Sequence, residues 1–305
     1  MKFSFSKYVW FDGKFVLGTK ATVPVTTHAI HYGTSVFEGI RGYWDAKNLF
    51  IFRLKDHTKR FRNSGKFYHI SSNFSDKQIE NAIINLCRKN KLRKSCYIRP
   101  FYFVGQYGIN LHVTEKAPTH IAIITFPFGD LFNKNGISAT ISKWRKFSDI
   151  STPTQAKMGG NYLNSILATQ DAKQRGFDEA ILLDQSGDVS EAPGENIFLV
   201  KNNELITPPL TSSALNGITR KSIITIAKDM GFKTKVRKVS KKELKLADEI
   251  FLSGTAAEIT PVIQIDKKRI KASKVGNITK LLMTAYSNIV MNKNKKYSQW
   301  LTRVY

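Results

Sequence analysis

Apolar positions along the chain recur with two different spacings, and the switches between them set the expected order of elements. Val9-Trp10-Phe11 and Lys14-Phe15-Val16 flank Asp12-Gly13. Asp-Gly supplies the positive φ values of a tight primed turn, so this stretch predicts an opening hairpin. Leu49-Phe50-Ile51-Phe52 predicts a short buried strand, with a helix following from about Asp56. A second helix is expected from Ser75. Ser75 and Gln78 have capping-box spacing, and Ile79, Ile83 and Leu86 share one helical face. Cys96–Val104 and His120–Phe126 are rich in β-branched and aromatic residues and read as strands.

Phe128–Gly136 holds two glycines, two asparagines and an aspartate after a strand, the signature of a linker. The expected organisation is a small N-terminal α/β domain over 1–127, a linker over 128–136, and a larger C-terminal α/β domain over 137–305. In the second half, Ile137–Ser142 predicts a strand and a polar loop runs to Gly160. A helix is expected over Asn161–Gln174. Glu179–Asp184, Asn196–Lys201, Thr234–Val239 and Glu249–Ser253 predict further strands. Thr219–Met230 predicts a helix with Gly231 past its end. Ser240 and Glu243 predict a short capped helix, and a last helix is expected from about Asn277 to Met291. Strands and helices mix in both halves, which gives the α/β class, of α+β type, in two domains.

Composition narrows the function classes. Hydrophobic residues make up 42% of the 305 positions, enough for globular cores. No run approaches the roughly 18 apolar residues of a membrane span, and the N-terminus lacks a leader pattern. Cys87 and Cys96 cannot make a disulfide framework and read as thiols in a reducing cytoplasm. Lysine and arginine total 48 against 23 acidic residues, a net charge of +25. That excess raises a nucleic-acid-binding protein as an alternative, but the basic residues are scattered and carry no recognisable nucleic-acid-binding motif. His28 and His31 have no partner pair at metal-ligand spacing, so no metal site is expected.

Four stretches carry candidate chemistry. Ala156-Lys157-Met158-Gly159-Gly160 sets a lysine among small residues just before a helix. Close packing there can desolvate the amine and make its neutral, nucleophilic form available. Ser190-Glu191-Ala192-Pro193-Gly194-Glu195 places carboxylates between two strands, as turn residues or as a partner for a protonated ring nitrogen. Gly217-Ile218-Thr219-Arg220 opens a helix, where free N–H groups favour an anion. Gly254-Thr255-Ala256-Ala257 follows a strand and allows close backbone approach.

These stretches, with His28–Arg41, Tyr97-Ile98-Arg99-Pro100 and Ser253–Val262, resemble the class IV aminotransferases, and among them the branched-chain amino acid aminotransferases. The resemblance runs from about Val9 to Trp300. It implies a fold type IV pyridoxal-phosphate enzyme with the D-amino-acid-aminotransferase-like architecture. It further implies transfer of the amino group between leucine, isoleucine or valine and 2-oxoglutarate in a ping-pong cycle. By that resemblance Lys157 carries pyridoxal 5'-phosphate and then moves the substrate α-proton. Glu191 faces the ring nitrogen and Tyr162 the phenolic oxygen, while Arg60, Ile218, Thr219 and Thr255 hold the phosphate. Tyr97, Thr255 and Ala256 hold the α-carboxylate. Tyr32, Phe37, Gly39, Tyr162, Ile109 and Leu111 line the side-chain pocket, with Ile109 and Leu111 able to reach in from a partner subunit. Arg99 meets the distal carboxylate of glutamate. A homodimer or higher homo-oligomer in the cytoplasm is implied as well. Leu131 departs from the pattern, standing about where many bacterial relatives have a tyrosine for that carboxylate. The remaining alternatives are other class IV enzymes: a D-amino acid aminotransferase, an amine transaminase or an aminodeoxychorismate lyase. Tyr97–Pro100 and Gly254–Glu258 favour the branched-chain reading over these.

Overall fold

The computed structural model describes residues 5–114, 116–272 and 274–305. The chain divides into two compact units. The first comprises 1–129, 156–160 and 288–305, and the second 130–155 and 161–287. The division is therefore not one cut: the short segment bearing Lys157 and the C-terminal tail group with the N-terminal residues.

Among the described residues the first unit is built on an eight-stranded sheet. Its order is Leu301–Arg303, Leu49–Phe52, Ile40–Trp44, Cys96–Val104, Thr119–Pro127, Tyr8–Phe11 and Lys14–Leu17, with Ser35–Phe37 also on Cys96–Val104. Every pairing is antiparallel. The Asp12-Gly13 hairpin forms as its residues require, with φ of 44° and 89°. Helices Leu54–Lys66 and Asp76–Lys89 contribute Phe61, Ile79, Ile83 and Leu86 to a core shared with Ile40, Ile51, Ile98 and Tyr102. The second helix has the expected capping box at Ser75 and Gln78. In Cys96–Val104 the period of two sends Ile98 and Tyr102 into that core and leaves Tyr97 and Arg99 on the other face.

The second unit carries a mixed eight-stranded sheet among the described residues. Its order is Thr234–Val236, Glu204–Thr207, Asn196–Lys201, Glu249–Gly254, Glu258–Ile265, Ile137–Arg145 and Glu179–Leu183, with Lys268–Arg269 on Glu258–Ile265. Helix Tyr162–Gln174 lays Ala168 and Ala172 against Ala180 and Leu182. Ile197, Leu199, Ile250, Leu252 and Val262 share another core cluster. Helix Ile218–Asp229 ends with Gly231 at φ 82°, the left-handed position anticipated for it.

Several elements have no counterpart in the sequence pattern: helix His28–Tyr32 and strands Ser35–Phe37, Ile40–Trp44, Glu204–Thr207 and Glu258–Ile265. The strand expected over Thr234–Val239 stops at Val236, and that expected over Ile137–Ser142 extends to Arg145.

Candidate active site

Backbone pairing fixes the lysine of the first unit. Gly159 N–H donates to Ser35 O at 2.7 Å and Gly160 N–H to Gly33 O at 3.2 Å. Phe37 N–H donates to Lys157 O at 3.1 Å, and Met158 bridges Val36. The Lys157 N–H donates to Ser64 Oγ at 3.0 Å. A Cβ at Gly159 would collide with the Ser35 hydroxyl, so the small residues around Lys157 are what permit this approach. The Lys157 Nζ lies 4.8 Å from the centre of the Phe37 ring. The residue retains partial exposure, yet the protein around the amine is dense enough that desolvation lowers its pKa to about 8. The Arg60 guanidinium adds to the fall, and Glu38 opposes it.

Arg60 projects from helix Leu54–Lys66 onto Glu38, with Nε to Oε1 at 2.5 Å and Nη2 to Oε2 at 2.8 Å. His57, one turn earlier, places Nδ1 2.7 Å from Oε2 of the same carboxylate. Burial would raise the Glu38 carboxyl, but Arg60 and His57 outweigh it and hold it well below the usual range. Burial likewise pushes His57 down, against the pull of Glu38. On the sheet face opposite the core, Arg99 lies over the rings of Phe37 (4.7 Å) and Tyr97 (5.4 Å). Its Nη2 donates to the Tyr97 hydroxyl at 3.2 Å, and its Nε is buried with no hydrogen-bond partner among the described residues. Any Cβ at Gly39 would strike the Tyr97 hydroxyl. The first unit thus brings Lys157, Arg60, Phe37, Gly39, Tyr97 and Arg99 together. Tyr32, Ile109 and Leu111 form another group: the Tyr32 hydroxyl donates to Ile109 O at 3.0 Å, and Ile109 and Leu111 are 81% and 76% exposed.

The second unit groups its own members. Glu191 is buried with both oxygens engaged. Oε1 lies 2.7 Å from Lys146 Nζ, and Oε2 accepts from Asn196 Nδ2 and Leu215 N–H, both at 3.0 Å. Burial would lower the Lys146 pKa, but Glu191 and then Tyr162 outweigh it, and the ammonium is held charged. Asn196 also donates to Leu215 O, and a Cβ at Gly217 would collide with its carbonyl. The loop before helix Ile218–Asp229 is thereby seated beside Glu191. Gly217, the N-cap, has no side chain to cap the helix, which leaves its first N–H groups, at Ile218 and Thr219, for an anion. Gly254 packs near Gly194 O, which puts the Thr255-Ala256 turn beside the glutamate loop. The hydroxyls of Ser190, Ser212 and Ser253 are buried without partners among the described residues, the condition of groups that a ligand or water can satisfy. Leu131 belongs to the second unit and is 38% exposed.

Glu38, His57 and Lys146 were not singled out from sequence. Glu38 sits inside the long motif, and the i, i+3 spacing of His57 and Arg60 is a usable signal. Nothing distinguishes Lys146 from the other basic residues.

The class this geometry defines agrees with comparison to known proteins. The family described as amino-transferase class IV matches residues 35–265. The branched-chain-amino-acid aminotransferase of Salmonella typhimurium is 42% identical over 301 residues, covering 97% of each chain. The solved Escherichia coli branched-chain amino acid aminotransferase superposes with a TM-score of 0.96 at 41% identity, covering 98% of this chain and 100% of that one. The Thermobaculum terrenum branched-chain amino acid aminotransferase, solved in its PLP-form, gives 0.93 at 35% identity, covering 99% of each chain. The chain belongs to the class IV aminotransferases and, within them, to the branched-chain amino acid aminotransferases. Pyridoxal 5'-phosphate is the cofactor of that class, and the residues present fit it. The amine of Lys157 is tuned toward neutrality, Glu191 is a fixed buried carboxylate, and the orphaned Arg99 Nε and serine hydroxyls await polar partners. No described helix is long and apolar enough to cross a membrane.

Proposed function

We propose that the protein is a pyridoxal-phosphate-dependent transaminase of branched-chain L-amino acids, with 2-oxoglutarate as the acceptor in a two-stroke cycle at one site. When bound, the cofactor supplies a ring that withdraws the charge left as the α-proton departs. Lys157 would hold the cofactor covalently through Nζ, and the same amine, once free, would carry the α-proton. A base with a pKa near the working pH suits that task, and positioned proton transfer contributes roughly 10²–10⁴-fold. Glu191 would keep a proton on the ring nitrogen, and Tyr162 would orient the phenolic oxygen. Arg60 and the N–H groups of Ile218, Thr219 and Thr255 take the phosphate. Tyr97, Thr255 and Ala256 bind the α-carboxylate. Phe37, Gly39 and Tyr32 give the pocket apolar walls for an alkyl side chain, and Arg99 meets the distal carboxylate of glutamate. Ile109 and Leu111 act from a partner subunit of a homodimer or higher homo-oligomer, and the enzyme works in the cytoplasm.

The single observation that carries the reading is the fixed, desolvated setting of the Lys157 amine, its segment locked by backbone bonds to Phe37 and Ser35 and its Nζ set 4.8 Å from the Phe37 ring, where its pKa falls to about 8. An ordinary surface lysine has no cause for such a shift. The test is a spectrum of the purified protein followed by addition of L-leucine, D-alanine or aminodeoxychorismate. Bleaching of the lysine-bound chromophore by L-leucine, with borohydride labelling mapped to Lys157, is the expected result. A label on another lysine, or a response to D-alanine alone, would overturn it.

A further inference from the structure

We propose that Glu38, braced by His57, is the positioning carboxylate of the phosphate site, setting the plane in which Arg60 presents its remaining donors. This rests on the reading of Arg60 as a phosphate anchor. Glu38 is fully buried in the turn between strands Ser35–Phe37 and Ile40–Trp44. Its backbone is fixed by an N–H bond to Pro100 O at 2.9 Å. Its carboxylate then meets Arg60 through a fork of two parallel bonds, the arrangement that locks a guanidinium in one plane. Two of the five guanidinium N–H donors are committed to this fork. His57 and Arg60 lie three residues apart on one helical face, so one carboxylate ties both to the sheet.

The arrangement has a second consequence. Glu38 lies between Phe37, whose ring sits under the Lys157 amine, and Gly39, which abuts the Tyr97 hydroxyl. The anchor for the phosphate and the walls around the lysine are therefore held by consecutive residues of one turn. Removing the carboxylate has two opposed effects: Arg60 gains net positive charge, and it loses its fixed plane. Position is expected to dominate, because the phosphate is held by directed N–H groups whose bonds weaken steeply once their angle falls below about 120°, while the added charge brings no new directed donor.

The test compares pyridoxal 5'-phosphate with pyridoxal, which lacks the phosphate, as ligands of full-length protein stripped of cofactor. Affinities are read by absorbance titration, independent of turnover. Arg60→Gln is the reference: it must weaken pyridoxal 5'-phosphate and spare pyridoxal. If it does not, the phosphate-anchor reading fails before Glu38 is considered. Given that result, Glu38→Gln is expected to weaken pyridoxal 5'-phosphate by about tenfold or more, the usual effect of losing an outer partner of a ligand-holding group, with pyridoxal unchanged. The Glu38→Gln/Arg60→Gln double variant should lose no more phosphate preference than Arg60→Gln alone. Equal weakening of both ligands marks a merely structural role and overturns the proposal, as does unchanged or tighter phosphate-ligand binding. Should Glu38→Gln fail to fold, Glu38→Asp keeps the charge on a shorter arm and must show the same phosphate-selective loss.

Discussion

A desolvated lysine amine beside an arginine is unfavourable for folding until its proton leaves. In the cofactor-free protein the Lys157 pKa is about 8, whereas the ordinary value is 10.5. Between those values the unfolded chain binds more protons than the folded one, so stability rises with pH across that window. Below about pH 8 both states are protonated and the full penalty stands; above about 10.5 it has gone. Lys157→Met should therefore raise the stability of the cofactor-free protein near pH 7 by on the order of 2 kcal/mol. The gain over wild type should vanish by about pH 10.5. Urea titrations at the two pH values decide it, and a gain that persists at high pH would assign it to packing instead. Glu191→Ala makes a different prediction: α-proton removal slows far more than cofactor binding weakens, as measured by single-turnover kinetics beside a binding titration. At this scale Lys157 and Glu191 could be singled out from sequence as candidates, with their roles supplied by the family resemblance of the stretches around them. Glu38, His57 and Lys146 could not, since their meaning lies in partners that are 19 to 45 positions away in the chain.

Elements were legible where one face alone is buried and a cap marks the end, as in helix Asp76–Lys89. Strand Ile40–Trp44 was not, because it is buried along nearly its whole length and so shows no alternation. Strand Glu258–Ile265 was hidden by Pro261, which argues against an inner strand. Pro261 pairs with Phe251 on one side, and on the other the ladder to Ile137–Arg145 begins only after it, at Val262. Helix Asn277–Val290 has a device of its own. Buried Glu249 accepts from Ile278 N–H at 3.1 Å, and from Thr279 N–H and hydroxyl at 2.8 and 2.7 Å. The carboxylate satisfies first-turn donors and opposes the positive helix end. Glu249→Ala leaves three donors without their acceptor and should cost about 2–3 kcal/mol, read as a lower urea midpoint at unchanged slope. Gly276→Ala should destabilise as well, because its Cβ would collide with that carboxylate.

For the molecule as a whole, the net charge of +25 has no role in this chemistry, and nothing in the site explains it. The exposed apolar residues have a clearer meaning. Ile109 and Leu111 stand out in water, tied to Tyr32 through one hydrogen bond. Two large aliphatic side chains so exposed on one short segment fit a surface completed by another chain. If they serve a partner's pocket, two defective variants should repair each other. One variant is Lys157→Ala, inactive at its own lysine but with an intact loop. The other is Ile109→Asp/Leu111→Asp, with an intact lysine but a spoiled loop. In a mixed dimer, the site with the working lysine receives the working loop from its partner. Activity per mixed dimer should then recover to about half that of the wild-type dimer, since one of its two sites is whole. If the loop instead served its own chain, every site in the mixture would carry one of the two defects. Unfolding and refolding the variants together, then assaying with L-leucine, separates these cases. No recovery despite verified mixed dimers would place Ile109 and Leu111 outside any shared pocket.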